Sequence, residues 1–167
     1  KFCPDTQHAG FTHFFYMAET GIVPMIRSAK GRLPGSYRLG LWNARNLRPY
    51  LDGSGTERDD IGAYISADQM LWRENSSDSQ GLGVFSRLGW ADDDIREVKF
   101  FGSVGVQYRG LIPDRNADVL GIGFAQGRLS HDAGFSSSFE RGVEVYYRAE
   151  LAPWWHVSPD VQCISNP

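Results

Sequence analysis

Alternation of polar and apolar side chains from 143 to 151, within the stretch GVEVYYRAELAPWW (142–155), constrains the fold more than any other feature of the chain. Ionised residues such as Glu144 and Arg148 occupy even positions, whereas apolar residues such as Val145 occupy odd ones. Successive side chains of an extended strand point to opposite faces of a sheet. The segment therefore predicts a strand with one charged face and one apolar face, and either of them could face the interior.

The same period of two recurs along the chain, and clusters of Gly, Pro, Asn, Asp and Ser separate the alternating segments. Apolar residues nowhere repeat convincingly at the spacing of an amphipathic helix. The sequence therefore predicts an all-β, antiparallel protein. The candidate strands are 11–19, 36–45, 61–73, 82–91, 98–111, 118–129, 139–152 and 155–164.

Several places depart from the regular strand pattern. The alternation slips near Gln69, and one face of 118–129 is mostly glycine and alanine, so a bulge is predicted in either segment. Pro159 argues against a central strand at its position. The connections at 21–34 and 46–60 are expected to be long loops.

Composition excludes several classes of function. The chain has 167 residues, about one domain's worth, and a net charge of −3, which disfavours an extended nucleic-acid footprint or a polybasic membrane arm. No apolar run approaches the roughly 20 residues of a spanning helix. The first ten residues lack the charged and apolar regions of a secretory signal. Cys3 and Cys163 lack metal-ligand spacing, and both a disulfide and two separate thiols remain open.

Two architectures place one polar and one apolar face on each strand. In a soluble sandwich, the apolar faces of two sheets meet. In a transmembrane barrel, the apolar face meets lipid and the charged face lines a water-filled lumen. Alternation alone favours the sandwich, but long strands, and arginine with glutamate in mid-strand, favour the barrel. Aromatic residues near the strand ends also favour it. They are Trp90, Tyr108, Phe139, Trp154 and Trp155.

Five stretches of the chain resemble the C-terminal part of the carbohydrate-selective porin (OprB) family of bacterial outer membranes. They occur in the family's order and with compatible spacing, and they cover most of residues 33–167. The stretches are LPGSYRLGLW (33–42), ADQMLWRE (67–74), QGLGVFSRLGWA (80–91), YRGLIPDRNADVLGIGFAQGRLS (108–130) and YYRAELAPWWHVSPDVQCISNP (146–167).

The resemblance implies a barrel of about 16 antiparallel strands that passes sugars by diffusion, in members that are either trimers or monomers. Residues 1–167 would then be a single porin barrel domain in fragment form, roughly its second half. The N-terminal strands and the closing C-terminal strand would be absent. The implied location is the outer membrane, with small sugars as solutes, lipid as the surrounding phase, and no cofactor or nucleic acid.

On this interpretation the even-numbered face of 142–155 lines the channel. A sugar in a pore needs aromatic faces to stack against its ring and charged groups that bond its hydroxyls. For any one of these residues, a plain ion pair that solvates the wall is the alternative. The candidate lumen-facing residues are Arg38, Trp42, Tyr64, Asp68, Arg87, Arg109, Glu144, Tyr146, Arg148 and Glu150.

Other motifs do not indicate catalysis or a metal. The aspartates at 92–94 lack the spacing of a calcium loop and are expected to form a solvated acidic turn. The four histidines show no zinc-like arrangement. Glu144 and Glu150 lie about 20 Å apart along a strand, too far for a glycosidase pair. The sequence therefore predicts a passive carbohydrate porin and no enzyme. A general ion or nutrient porin and a soluble all-β sugar-binding module are the alternatives.

Overall fold

The computed structural model describes residues 14–166, which form a single antiparallel sheet of ten strands. A 3-10 turn, His131–Ala133, is the one helical element in this part of the chain, and no helix there could span a membrane. The strands are β1 (Phe14–Ile22), β2 (Met25–Ser28), β3 (Gly31–Pro49), β4 (Thr56–Arg73), β5 (Gly81–Ala91), β6 (Val98–Arg109), β7 (Val119–Leu129), β8 (Phe139–Ala152), β9 (Trp155–Val157) and β10 (Asp160–Ser165).

The strand order follows the chain, β1-β3-β4-β5-β6-β7-β8-β10, with β2 also on β3 and β9 also on β8. β1 and β2 thus form one outer strand that is interrupted at Pro24, and β9 and β10 form the other, which is interrupted at Pro159. The carbonyls of Pro24 and Pro159 still accept ladder bonds, from the N–H groups of Gly35 (2.9 Å) and Tyr147 (3.0 Å). Proline lacks the N–H that donates a ladder hydrogen bond. It therefore fits these outer strands, which have a paired neighbour on one side only within the described residues. The all-β antiparallel prediction is confirmed.

The prediction of a long loop at 46–60 is wrong, because β3 continues to Pro49 and β4 begins at Thr56. Ion pairs between the two strands extend this hairpin. The Nε atom of Arg48 lies 2.9 Å from an oxygen of Asp60, whose side chain is completely buried. A run of charges that resembles a solvated loop is therefore a set of cross-strand partners.

The long connection predicted at 21–34 is also wrong. It contains β2 and the start of β3, joined by two turn residues at 29–30. Gly31 has a φ of 112°, which an L side chain rarely adopts, and its carbonyl accepts a bond of 2.7 Å from the Ser28 hydroxyl. The first candidate strand, 11–19, lies partly outside the described residues. Cys3 lies entirely outside them.

Of the two predicted bulges, the one near Gln69 is present. The pairing of β4 with β5 shifts register between Met70 and Trp72. The bulge predicted in 118–129 is not in β7, which pairs with β8 without a shift from Val119 to Arg128. Where β6 pairs with β7 the register does shift, but the extra residue lies on β6, between Val98 and Phe100. The glycines of β7 have another cause, which lies in the side chains of the neighbouring strand.

Aromatic rings on one face of the sheet lie directly over glycines of the adjacent strand. A Cβ atom built on Gly121 would lie 2.3 Å from a carbon of the Tyr146 ring, so only glycine fits beneath it. The ring gains a flat apolar contact and covers a backbone that has no side chain of its own. The same arrangement joins Tyr64 to Gly40, Trp42 to Gly62, and Phe85 to Gly105.

The apolar face of the sheet is exposed. Val143, Val145 and Leu151 keep 42%, 45% and 51% of their surface accessible. Buried apolar residues in the described part of the chain are few: Leu33, Ala44, Ile95 and Val119. A sandwich would cover this face with a second sheet, and residues 14–166 contain none.

The loop between β6 and β7, residues 110–118, is fastened by a buried carboxylate. Asp118 is 3% exposed and accepts hydrogen bonds from Arg115 Nε (2.6 Å), from the Glu150 N–H (2.9 Å) and from the Tyr147 hydroxyl. Burial raises the pKa of Asp118, but these three donors outweigh it and hold the pKa below its usual value of 3.8. The ionised form is therefore the one that fastens the loop.

We expect this fastening to weaken in acid. A carboxyl group with a depressed folded-state pKa stabilises the fold above its ordinary pKa and stops doing so as the pH falls below 3.8. Hydrogen exchange of the Glu150 amide, referenced to the Tyr147 amide, should lose protection between pH 7 and a pH well below 3.8. Asp118→Asn should exchange faster at pH 7 and respond little to acid. Equal protection at both pH values would contradict this role for Asp118.

The aromatic cover also makes a testable distinction between two glycines on the same face of β7. Gly121→Ala forces the Tyr146 ring away and should destabilise the protein by about 1–3 kcal/mol. Gly123→Ala is the matched control, because its Cβ would find nothing closer than 3.6 Å. Denaturant unfolding in lipid vesicles measures both, and equal effects would refute the packing explanation.

Candidate functional site

All ten predicted lumen residues lie on one face of the sheet. Paired residues of antiparallel neighbours point to the same side, so the register defines continuous rows. One row runs Ser36, Asp68, Phe85, Gly105, Gly123, Glu144, Gln162. Alternation along each strand places the other nine predicted residues on the face of Asp68. We call this face the inner face, and we call the opposite face, which carries Val143 and Val145, the outer face.

Asp68 is the centre of a charged cluster on the inner face. It accepts two bonds from Arg87, of 2.9 and 3.1 Å, and lies 3.8 Å from Arg38. Arg87 also donates to the carbonyls of Ala67 and Ser86, at 2.9 Å each. Both guanidinium groups remain more than a third exposed, so the cluster combines a wall ion pair with donors that water can reach.

Two tyrosines of the inner face make hydrogen bonds across the adjacent strand to a residue of the strand after it. The Tyr64 hydroxyl donates to Glu19 across Gly40, and that of Tyr146 lies 3.1 Å from Gln107 Oε1 across Gly121. The missing glycine side chains let each ring lie flat and reach the next strand. The two rings are thereby held in place with one surface toward the open side of the sheet.

Trp42 lies beside a second ion-pair cluster. The Arg96 guanidinium carbon lies 5.5 Å from the Trp42 ring centre, and Arg96 is also bonded to Asp60 at 3.1 Å. Arg48 is the other partner of this carboxylate. Arg96 belongs to the β5–β6 loop, so this loop folds onto the inner face and is fixed there by charge and by the indole.

Three of the charged residues among the ten have no hydrogen-bond or ion-pair partner within residues 14–166. They are Arg109, Arg148 and Glu144. The two arginines are exposed and lie in one row, joined by Val119. They line a cavity of about 470 Å³ together with Ser36, Asp68, Gln107 and Tyr146. Free guanidinium groups at a cavity are available to bond a solute, in contrast to Arg87.

Glu150, the last of the ten, is a wall residue with a partner. Its carboxylate lies 3.2 Å from His156 Nε2, and the two residues pair between β8 and β9. Its backbone N–H donates to Asp118. The sequence left two roles open for each of these residues, an ion pair within the wall or a group free to contact a solute. The inner face contains residues of both kinds.

The sequence analysis missed several inner-face residues, among them Phe85, Gln107 and Glu19. Phe85 pairs with Gly105, and Gln107 contacts Tyr146. Both share the parity of Arg87 or Arg109 on their strands, so period-two alternation was sufficient to include them. Glu19 was missed for another reason, since its role depends on the register of β1 against β3.

The acidic turn at 92–94 is held by protein partners. The carboxylate oxygens of the three aspartates lie within 4.8 Å of one another. Lys99 bonds Asp93 at 3.0 Å and lowers its pKa, whereas burial and the neighbouring carboxylates raise the pKa of Asp94. The expectation that this is a solvated acidic turn stays a prediction. Of the histidines, His8 and His13 lie outside the described residues.

Comparison with known proteins gives a consistent result. The model of the carbohydrate-selective porin, OprB family, matches residues 5–167. Porin B of Pseudomonas aeruginosa is 25% identical over 170 residues, covering 81% of this chain and 37% of the relative. The chain therefore spans well under half the length of that protein.

Two solved structures share the fold. The high-pH structure of Pseudomonas putida OprB superposes with a TM-score of 0.82 at 20% identity, over 95% of this chain and 45% of that one. The low-pH structure gives a TM-score of 0.68 at 24% identity, over 91% and 42%. The sheet thus corresponds to part of the OprB barrel, and the open inner face is part of a barrel wall. The chain belongs to the carbohydrate-selective porin (OprB) family of outer-membrane β-barrels, which are porins and not enzymes.

Proposed function

We propose that this sheet is part of the wall of an outer-membrane pore through which neutral sugars diffuse passively. The observation that carries the proposal is the division of the two faces. Charged and aromatic residues share the inner face, and apolar residues are exposed on the outer one. Lipid has the chemistry to cover an exposed apolar face, and water and solute fill a polar lumen.

Aromatic residues at both ends of the outer face support a membrane position. Trp90 pairs with Phe100 near one end, and Tyr108 pairs with Leu82 near the other, with the rings of Tyr108 and Trp72 6.1 Å apart. Trp90 and Leu82 are separated by about 26 Å along β5 at the usual rise of a strand. This length is close to the apolar band of about 25 Å that aromatic girdles flank in barrels.

The mechanism needs no bond to form or break. A sugar that enters the lumen exchanges water contacts for bonds to groups such as Arg109 and Arg148 and for contact with the Tyr146 ring. Conduction requires these contacts to be weak enough to release the solute. Their exposure favours weak binding, because water competes at each of them.

A general porin for ions and small nutrients is the second candidate, and the two free arginines favour it. Unpaired guanidinium groups attract anions as readily as they bond hydroxyls. The family resemblance also allows a homotrimer, and the mass of the detergent-extracted protein distinguishes trimer from monomer. Sugars as solutes, lipid as the surrounding phase and the division into two barrel halves are all part of the proposal.

Planar-bilayer conductance of the full-length protein separates the two candidates. Glucose and maltose should reduce the current in a saturable way because they occupy the lumen. Succinate should have a weaker effect at equal concentration. If succinate blocks the current and both sugars leave it unchanged, the carbohydrate assignment is wrong and the general porin takes its place.

A charge variant in the same experiment tests the assigned face. Arg148→Ala should shift the ion selectivity toward cations, because a free positive charge leaves the lumen. Arg128→Ala is the matched control, since Arg128 pairs with Phe100 and Phe139 on the outer face and lines neither cavity. Unchanged selectivity in Arg148→Ala, or an equal shift in both variants, would count against the lumen position of Arg148.

A further inference from the structure

A second cavity, of about 480 Å³, lies on the inner face toward the opposite end of the strands from Arg148. It contains none of the arginines that line the first cavity, and Arg141 is the one arginine among its lining residues. Its walls include Phe85, Phe101, Ser103, Glu144 and Gln162. Its volume falls within the range of about 300–1,000 Å³ that is usual for small-molecule sites.

The register assigns a different chemistry to each side of this cavity. Phe85 and Phe101 project from β5 and β6 and form an aromatic wall. Gly123 and Gly127 on β7 form the floor, since they pair with Gly105 and Phe101. On the far side, Glu144 of β8 pairs with Gln162 of β10. An aromatic wall therefore faces a hydrogen-bonding wall across a floor without side chains.

The floor glycines differ from the glycines covered by rings. Gly105 and Gly121 are required, because a Cβ there would lie 2.3 Å from a ring carbon. At Gly123 and Gly127 the closest atom would be 3.6 Å away, an ordinary contact. Packing within the described chain does not demand glycine at these two positions. Glycine inside a strand often marks a place where a ligand approaches the backbone closely.

The polar wall has free bonding capacity. Within residues 14–166, the Glu144 carboxylate and the Gln162 amide make no hydrogen bond. Glu144 is half-buried, and an ionised carboxylate accepts strong bonds from hydroxyl groups. The amide of Gln162 offers both donors and an acceptor. Together with the Ser103 hydroxyl, they provide several partners for a polyhydroxylated molecule.

We propose that this groove is a binding subsite for a neutral pyranose ring, separate from the arginine cavity. The apolar face of the ring lies against Phe101, with the edge of Phe85 beside it, while its hydroxyls bond Glu144 and Gln162. Two carboxylates, Glu140 and Glu144, line the groove against one arginine, Arg141, so its net charge is negative and it favours neutral sugars over anions. The inference rests on the proposed function and specifies which part of the wall binds the sugar.

The test is the glucose concentration that half-reduces the current of the full-length protein in planar bilayers. Phe101→Leu keeps an apolar side chain but removes the flat ring, and should raise this concentration about three- to tenfold. Gly127→Val is a second variant that adds bulk to the floor, where a Cβ atom would find nothing closer than 3.6 Å, and it should also raise this concentration. Neither change alters the charge, so ion selectivity should stay that of the wild type.

Phe100→Leu is the matched control, because Phe100 pairs with Trp90 on the outer face and lines neither cavity. It should leave the glucose concentration unchanged. If glucose blocks the wild type, Phe101→Leu and Gly127→Val equally, the subsite is wrong and the proposed function stands. If glucose does not block the wild type at all, the carbohydrate function fails and the subsite fails with it. Gel migration of the unheated barrel shows that each variant is folded.

Discussion

The backbone hydrogen bonds between neighbouring strands determine everything else in this molecule. Each strand of the sheet is paired along nearly its whole length, so the side-chain parity of one strand fixes that of the next. A slip of one residue would move every charged side chain to the outer face and every apolar one to the inner face. The row from Ser36 to Gln162 exists because seven strands keep one register. Neither the arginine cavity nor the aromatic groove could form on a sheet whose strands slid freely.

Glycine shapes the inner face of the sheet in two ways. Beneath Tyr146 and Phe85, glycine allows an aromatic ring to lie flat on the next strand, which fixes the ring and smooths the wall. At Gly123 and Gly127, the absence of a side chain leaves open space instead. The inner face is thus shaped as much by the side chains that are missing as by those that project. In the proposed function, a wall of this kind offers a passing solute shallow, exposed contacts, which suit release as well as binding.

Period-two alternation was sufficient to predict the strands and the inner face, because parity is a local property of an extended chain. It failed where distant residues decide the structure. The charged residues around Arg48 and Asp60 resemble a loop until their cross-strand pairing is known, and the turn at 29–30 is hidden by residues of mixed polarity. The free or paired state of each arginine was also beyond the sequence. Arg87 and Arg148 lie on the same face and have the same chemistry, and only the position of Asp68 makes one a wall residue and leaves the other open.

The central claim is that even-numbered residues of β8 face water and odd-numbered ones face lipid. Cysteine scanning from 143 to 148, in full-length protein with the native Cys163 replaced by serine, tests it most directly. A membrane-impermeant, charged thiol reagent applied to the protein in lipid vesicles should label cysteines at 144, 146 and 148, and leave those at 143, 145 and 147 largely unmodified. Labelling at 143 and 145 with protection at 144 and 148 would invert the two faces and contradict the account.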